Sequence, residues 1–260
     1  MVELPYLTPQ YLFAITALAL LIVDTAFPRS KRPDVLTGIA TAGSVLVALV
    51  SAWFLAAGTG AGRTVLPMFD GMLVVDGTSL FFTFVFGSVT TLVVLASSEY
   101  LEDSTAIAEY YSLVVLAALG MSLMAVANNL AAVFVSLELA SLPSYGLVAS
   151  LKQNKGSVEA GLKYFLIGAL SSAIMVYGIS LVYGATGTLH LSAIAQALNE
   201  GLAGMDSLYG LGLVLLIGGF LFKTASVPFH FWAPEAYEGA PAPISAFISS
   251  ASKAAGFAVA

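Results

Sequence analysis

Glu138, Lys163, Lys223 and Lys253 are ionisable side chains set inside apolar stretches long enough to cross a bilayer. On insertion scales a charge at mid-membrane costs roughly 2.5–3.5 kcal/mol, so four unpaired charges imply about 10–14 kcal/mol. A chain that only had to span a membrane would not carry them. Groups at such depth face a bundle interior or a water-filled path. Burial favours the neutral form of an amine, and a nearby carboxylate restores its charge. Moving or screening one charge therefore switches its neighbour between binding and releasing a proton. The default reading of the four is movement of protons or ions. His230, seven residues after Lys223, adds a fifth group able to pass a proton.

Each residue also admits a structural role. At 1.5 Å per residue, Lys163 sits roughly 7 Å in from the end of its helix, and Lys253 roughly 15 Å into its own. Lys163 can therefore lay its stem in hydrocarbon and hold its ammonium at the headgroups. Glu138 can be an ion-pair partner only, and His230 can hydrogen-bond an interrupted backbone. Lys223 and Lys253 are deeper and harder to explain by structure alone. Tyr145, Tyr164 and Tyr177 suit a wet interior or packing equally. Gly161, Gly168, Ala169, Ser171 and Ser172 form a small-residue face that lets helices approach closely.

The elements that must position these groups follow from composition. Of 260 residues, 59% are hydrophobic and only 9% charged, with a mean hydropathy of +0.95. Soluble domains carry about 25% charged residues, so the chain reads as a polytopic, all-α transmembrane bundle. A span takes about 20 helical residues, and that rule places about eight helices. They lie near 9–26, 35–57, 78–97, 110–127, 130–151, 158–185, 208 onward and 243–260. The connector 186–206 carries Leu189, Leu191, Ile194, Ala195 and Leu198 at helical spacing, which predicts a short surface helix. Pro228 and Pro234 predict that the seventh helix is broken near Pro228, since each removes a backbone donor. The eighth helix is still apolar at Ala260, which predicts further helices beyond it.

Arg29, Lys31, Arg32, Lys152 and Lys155 fall on one side of the membrane by parity, with Arg63 the exception. That side is predicted to be cytoplasmic, placing the N-terminus of a multi-pass cell-membrane protein outside. The absence of cysteine excludes disulfides, thiolate zinc sites and cysteine-bound clusters. Two histidines, His190 and His230, make neither a haem pair nor a zinc site, so no metal is expected. No phosphate-binding glycine loop opens a helix, and no basic patch suits nucleic acid.

Four successive helices carry a resemblance. They hold Val135-Ser-Leu-Glu-Leu-Ala-Ser-Leu-Pro143, Glu159-Ala-Gly-Leu-Lys-Tyr-Phe-Leu-Ile-Gly-Ala-Leu170, Phe222-Lys-Thr-Ala-Ser-Val-Pro-Phe-His-Phe-Trp-Ala-Pro234 with Glu238-Gly-Ala-Pro-Ala-Pro243, and Ser252-Lys-Ala-Ala-Gly256. These strings resemble the antiporter-like, proton-translocating membrane subunits of respiratory complex I, the subunit N branch most closely. The resemblance implies a fourteen-helix fold of two inverted repeats. Residues 1–100 would supply three N-terminal helices, and 101–260 a first repeat that is cut short. It matches Glu138 to a glutamate that tunes Lys223, Lys163 to an additional basic residue, His230 to a histidine after the helix break, and Lys253 to a lysine leading toward the second half-channel. It implies a non-redox subunit of a quinone oxidoreductase with no cofactor of its own. Quinone and redox centres would sit in partner membrane subunits, with NADH as the family's usual donor. The rival reading is a subunit of a multi-subunit cation/proton antiporter or a membrane-bound hydrogenase. A passive scaffold is the remaining alternative.

Overall fold

The computed structural model describes residues 4–26, 32–58, 66–101 and 106–259. In hydrocarbon every backbone polar group must be satisfied within its own segment, so apolar runs of this length become helices. The long ones are α1 (Thr8–Ala26), α2 (Arg32–Ala56), α3 (Gly77–Ser97), α4 (Ile107–Val126), α5 (Leu130–Val148) and α6 (Lys155–Thr186). After the short α7 (Leu191–Glu200) comes α8 (Asp206–Thr224), followed by α9 (Trp232–Gly239), α10 (Ala242–Ser249) and α11 (Ala251–Val259). Seven described helices, α1 to α6 and α8, are long and apolar enough to cross a membrane. The predicted basic cluster at Arg29 and Lys31, Arg63, and the acidic Glu102 and Asp103 lie outside the described residues.

The hub is α4, buried on nearly every face and packed by α1, α2, α3, α5 and α11. Large apolar side chains such as Ile15, Ile22, Trp53, Leu92, Leu170 and Val214 point outward instead. An outward apolar belt of this kind suits lipid or further protein rather than water. Polar caps set the helix starts. Asp76 and Ser79 exchange hydrogen bonds as a capping box for α3; Asn129 caps α5 and Asn154 caps α6.

The all-helical expectation holds except on one face, where β1 (Leu66–Met68) and β2 (Leu73–Val75) form an antiparallel hairpin. Its turn places Phe69, Asp70 and Gly71 at positive φ. Asp-Gly between apolar runs is a hairpin signal, and reading only for long helices passes over it. Asn128 ties the hairpin to the α4–α5 turn through its N–H to the Met72 carbonyl, at 2.8 Å, and its side-chain amide to the Gly71 carbonyl, at 3.0 Å. Leu130 N–H bonds Leu189 carbonyl at 2.9 Å, bringing in the start of α7. That helix is the surface element expected from the 186–206 spacing, with Ile194 its buried residue.

The seventh predicted helix is broken as expected. α8 ends at Thr224, Ala225 turns left-handed at φ 52°, and the Val227–Pro228 peptide is cis. The chain then resumes as α9, packed like α8 against α6, and this helix carries Glu235 and Glu238. The eighth, predicted as one run from Pro243, is divided at Ser250 into α10 and α11. Ser249 and Ser250 hydroxyls both return to the Ala246 carbonyl, at 3.1 and 2.6 Å. Such back-bonding competes with the helical ladder.

Candidate functional site

Lys223 occupies the last turn of α8 and is 1% exposed. Its Nζ donates to Ser141 Oγ on α5 at 3.1 Å. Ser141 directs its own proton to the Leu137 carbonyl, at 2.7 Å, so its oxygen is free to accept from the lysine. Glu138 lies about one turn before Ser141 on α5 and accepts a hydrogen bond from Ser172 Oγ on α6. Lys223 thus reaches the glutamate's helix through a hydroxyl. Among the described residues no carboxylate lies within 4.0 Å of it. Glu138 itself is half-buried. It lines a lateral cleft of about 540 Å³ between α5 and α6, with Phe134, Ala169, Ser172, Val176 and Tyr177 on its walls.

Beyond Lys223 stands an aromatic wall. Tyr145 meets Tyr164 edge-on at 4.6 Å, and Tyr164 stacks on Trp232 at 4.2 Å and 12°. Trp232 donates its indole N–H to the Phe222 carbonyl at 3.3 Å. On the other side of that indole lies Lys253, its Nζ 4.2 Å from the ring centroid and 5.8 Å from that of Tyr237. An aromatic face stabilises a cation through its quadrupole, so Lys253 is held without a carboxylate. A Cβ added at Gly256, nearly one turn after Lys253, would lie 3.5 Å from Lys223 Cγ. The α11 backbone therefore backs directly onto the first lysine.

Among the described residues, Ser171 Oγ, His230 Nδ1 and Lys253 Nζ are buried with no protein hydrogen-bond partner, while Tyr145 OH faces the Ser141 hydroxyl and Tyr164 OH that of Ser252. Buried polar atoms are nearly always paired, and ordered water is the usual partner when protein offers none. The arrangement supplies donors and acceptors for a hydrogen-bonded chain running from α5 toward α11. His230 sits in the α8–α9 link, its ring 4.4 Å from that of Phe231.

Of the five groups singled out from sequence, the fold brings Glu138 and Lys253 within electrostatic reach of Lys223, while His230 lies in the α8–α9 link against Phe231. Lys163 stands apart from these groups. Its side chain is 45% exposed and bridges Glu159, at 2.9 Å, and Glu235, at 2.7 Å. Two carboxylates at the open end of α6 hold it there. Tyr177, read as a possible lining of a wet interior, is 58% exposed on the cleft rim. The small-residue face behaves as packing at Gly161, where a Cβ would fall 2.6 Å from that of Ala149, and at Gly168, which abuts Tyr145 OH. Sequence reasoning passed over Ser141 and Trp232 as site residues and read Ser172 only as packing. The first stands three residues after Glu138, on the same helical face, a spacing that could have flagged it.

Residues 127–260 match the family described as NADH:quinone oxidoreductase/Mrp antiporter, TM. The F(420)H(2) dehydrogenase subunit N of Methanosarcina mazei is 40% identical over 259 residues, covering 99% of this chain and 52% of the relative. The NADH-quinone oxidoreductase subunit N of Dehalococcoides mccartyi is 40% identical over 256 residues, covering 96% and 51%. The chain spans about half the length of the curated relatives it matches. A chain of respiratory complex I from Thermus thermophilus with bound aureothin superposes with a TM-score of 0.79 at 35% identity, over 97% of this chain and 52% of that one. A chain of the Mrp complex from Dietzia sp. superposes at 0.78 with 19% identity, over 98% and 48%, a likeness of fold alone.

Proposed function

We propose, since the chain belongs to the NADH:quinone oxidoreductase/Mrp antiporter transmembrane family, that it is a proton-translocating membrane subunit of a complex I-type quinone oxidoreductase. In this reading Glu138, Lys223 and Lys253 pass protons sideways through the bundle, with His230 beside them. Electron transfer in other subunits drives the movement, and quinone and redox centres belong to those subunits. Each proton moved against 100 mV requires about 2.3 kcal/mol. The N-terminus lies outside in this arrangement, with Lys152 and Lys155 in the cytoplasm. Residues 1–100 flank the repeat that begins near 101.

The observation that carries the reading is Lys223, a fully buried amine bonded to a hydroxyl one turn from a carboxylate. A lysine placed only for packing is replaceable by an apolar residue, and burying its charge is costly. Two relatives at the same 40% identity bear names with different electron donors, F(420)H(2) and NADH. That supports a role common to both complexes and separate from the donor.

Glu138→Gln tests the reading from the carboxylate end. Glutamine keeps the shape and can still accept from Ser172, but it cannot ionise. The assembled complex is expected to lose most proton translocation, measured as acidification of inverted vesicles during quinone reduction, and Glu138→Asp to recover part of it. Full translocation by the glutamine variant would remove Glu138 from the path.

A further inference from the structure

Lys163 engages two carboxylates at once, and they come from different helices. Glu159 is one turn back on α6; Glu235 belongs to α9, 2.7 Å from the ammonium. The group lines a polar pocket of about 340 Å³ together with Asn154 and Glu238. Directly after Lys163, Tyr164 turns inward and stacks on Trp232, three residues before Glu235. Gly239, at the far end of α9, presses against Ala160, with no room for a Cβ between them. Three contacts along one short helix therefore tie α9 to α6.

That tie matters because α9 cannot hold itself. It has eight residues, follows the Val227–Pro228 break and is closed by Pro241. A helix this short is marginal without tertiary support. Its Trp232 is the ring beneath Lys253 Nζ and the donor to the Phe222 carbonyl, next to Lys223. Any displacement of α9 reaches both buried lysines through this one indole.

We infer that Lys163 is a positioning residue: with Glu235 it latches α9 onto α6 and so keeps Trp232 seated between Lys223 and Lys253. It carries no proton itself. The inference rests on the proposed relay, and it moves Lys163 out of that relay into its support.

The chain contains no cysteine, so Lys163→Cys with Glu235→Cys creates the one cysteine pair within it. The latch predicts that proton translocation falls at least about fivefold, the low end of site-to-site coupling. It predicts recovery when a short, reversible bis-methanethiosulfonate bridge joins the two cysteines, and loss again on reduction. Wild-type translocation without the bridge, failure of the bridge to form, or failure to recover once bridged would each overturn it, the last by showing that an ionisable group is needed at 163. A charge-retaining variant gives a second arm. Lys163→Arg keeps a cation for both carboxylates and should translocate normally, whereas a true carrier at 163 would be lost, because a guanidinium does not release its proton. Lys223→Met in the same cysteine background separates the two ideas. Normal translocation there sinks the relay, and bridge yield still measures the latch.

Discussion

Lys223→Met is expected to leave the complex assembled and to cut proton translocation on the order of 100-fold, the scale of a positioned acid–base group. Methionine fills the volume of the lysine stem and brings no charge into the 1% exposed site. Replacing a buried charge by an apolar residue of similar size is often neutral or stabilising. Ser141 keeps its bond to the Leu137 carbonyl and loses only an accepted one. A spare lone pair costs less than an orphaned donor. Thermal stability in detergent should therefore hold while vesicle acidification collapses. A scaffold would show the reverse, with assembly impaired and residual complexes pumping at the normal rate.

Gly120→Leu is expected to abolish assembly. A Cβ at Gly120 would lie 2.6 Å from the Leu139 carbonyl carbon and 2.7 Å from Ala140 Cα, and still closer to the Ala140 nitrogen. These are backbone atoms of α5, which cannot rotate away as a side chain can. Overpacking a core typically costs about 1–3 kcal/mol; a collision with backbone forces α4 and α5 apart. Leu139 and Ala140 directly follow Glu138, so separation moves the carboxylate and Ser141 with it. Gly38→Ala is the control. Nothing lies within 4 Å of a Cβ there, and alanine favours an α-helix by about 0.5–1 kcal/mol over glycine. Yield and melting temperature in detergent should collapse for Gly120→Leu and hold or rise for Gly38→Ala.

The spans and the break were legible because hydrocarbon leaves an apolar run few choices and proline removes a donor wherever it sits. Glu138, Lys223 and Lys253 stood out for the same reason, as charges in the wrong solvent. What stayed hidden depended on partners distant in sequence. Lys163 reads as a relay group or a headgroup anchor until α9 folds back and offers Glu235. Ser141 is one serine among several until its proton is seen directed to Leu137. Trp232 belongs to a recognisable string, yet only the packed structure places its two faces between Tyr164 and Lys253. The division at Ser250 is a local change of backbone direction that hydropathy does not register.

A density map of the assembled complex fine enough to place water tests the central claim most directly. The account predicts ordered waters bridging Tyr145, Lys223, Tyr164, Ser252 and Lys253 into a continuous hydrogen-bonded chain. Apolar side chains filling that space, with Lys223 and Lys253 sealed from each other, would contradict it.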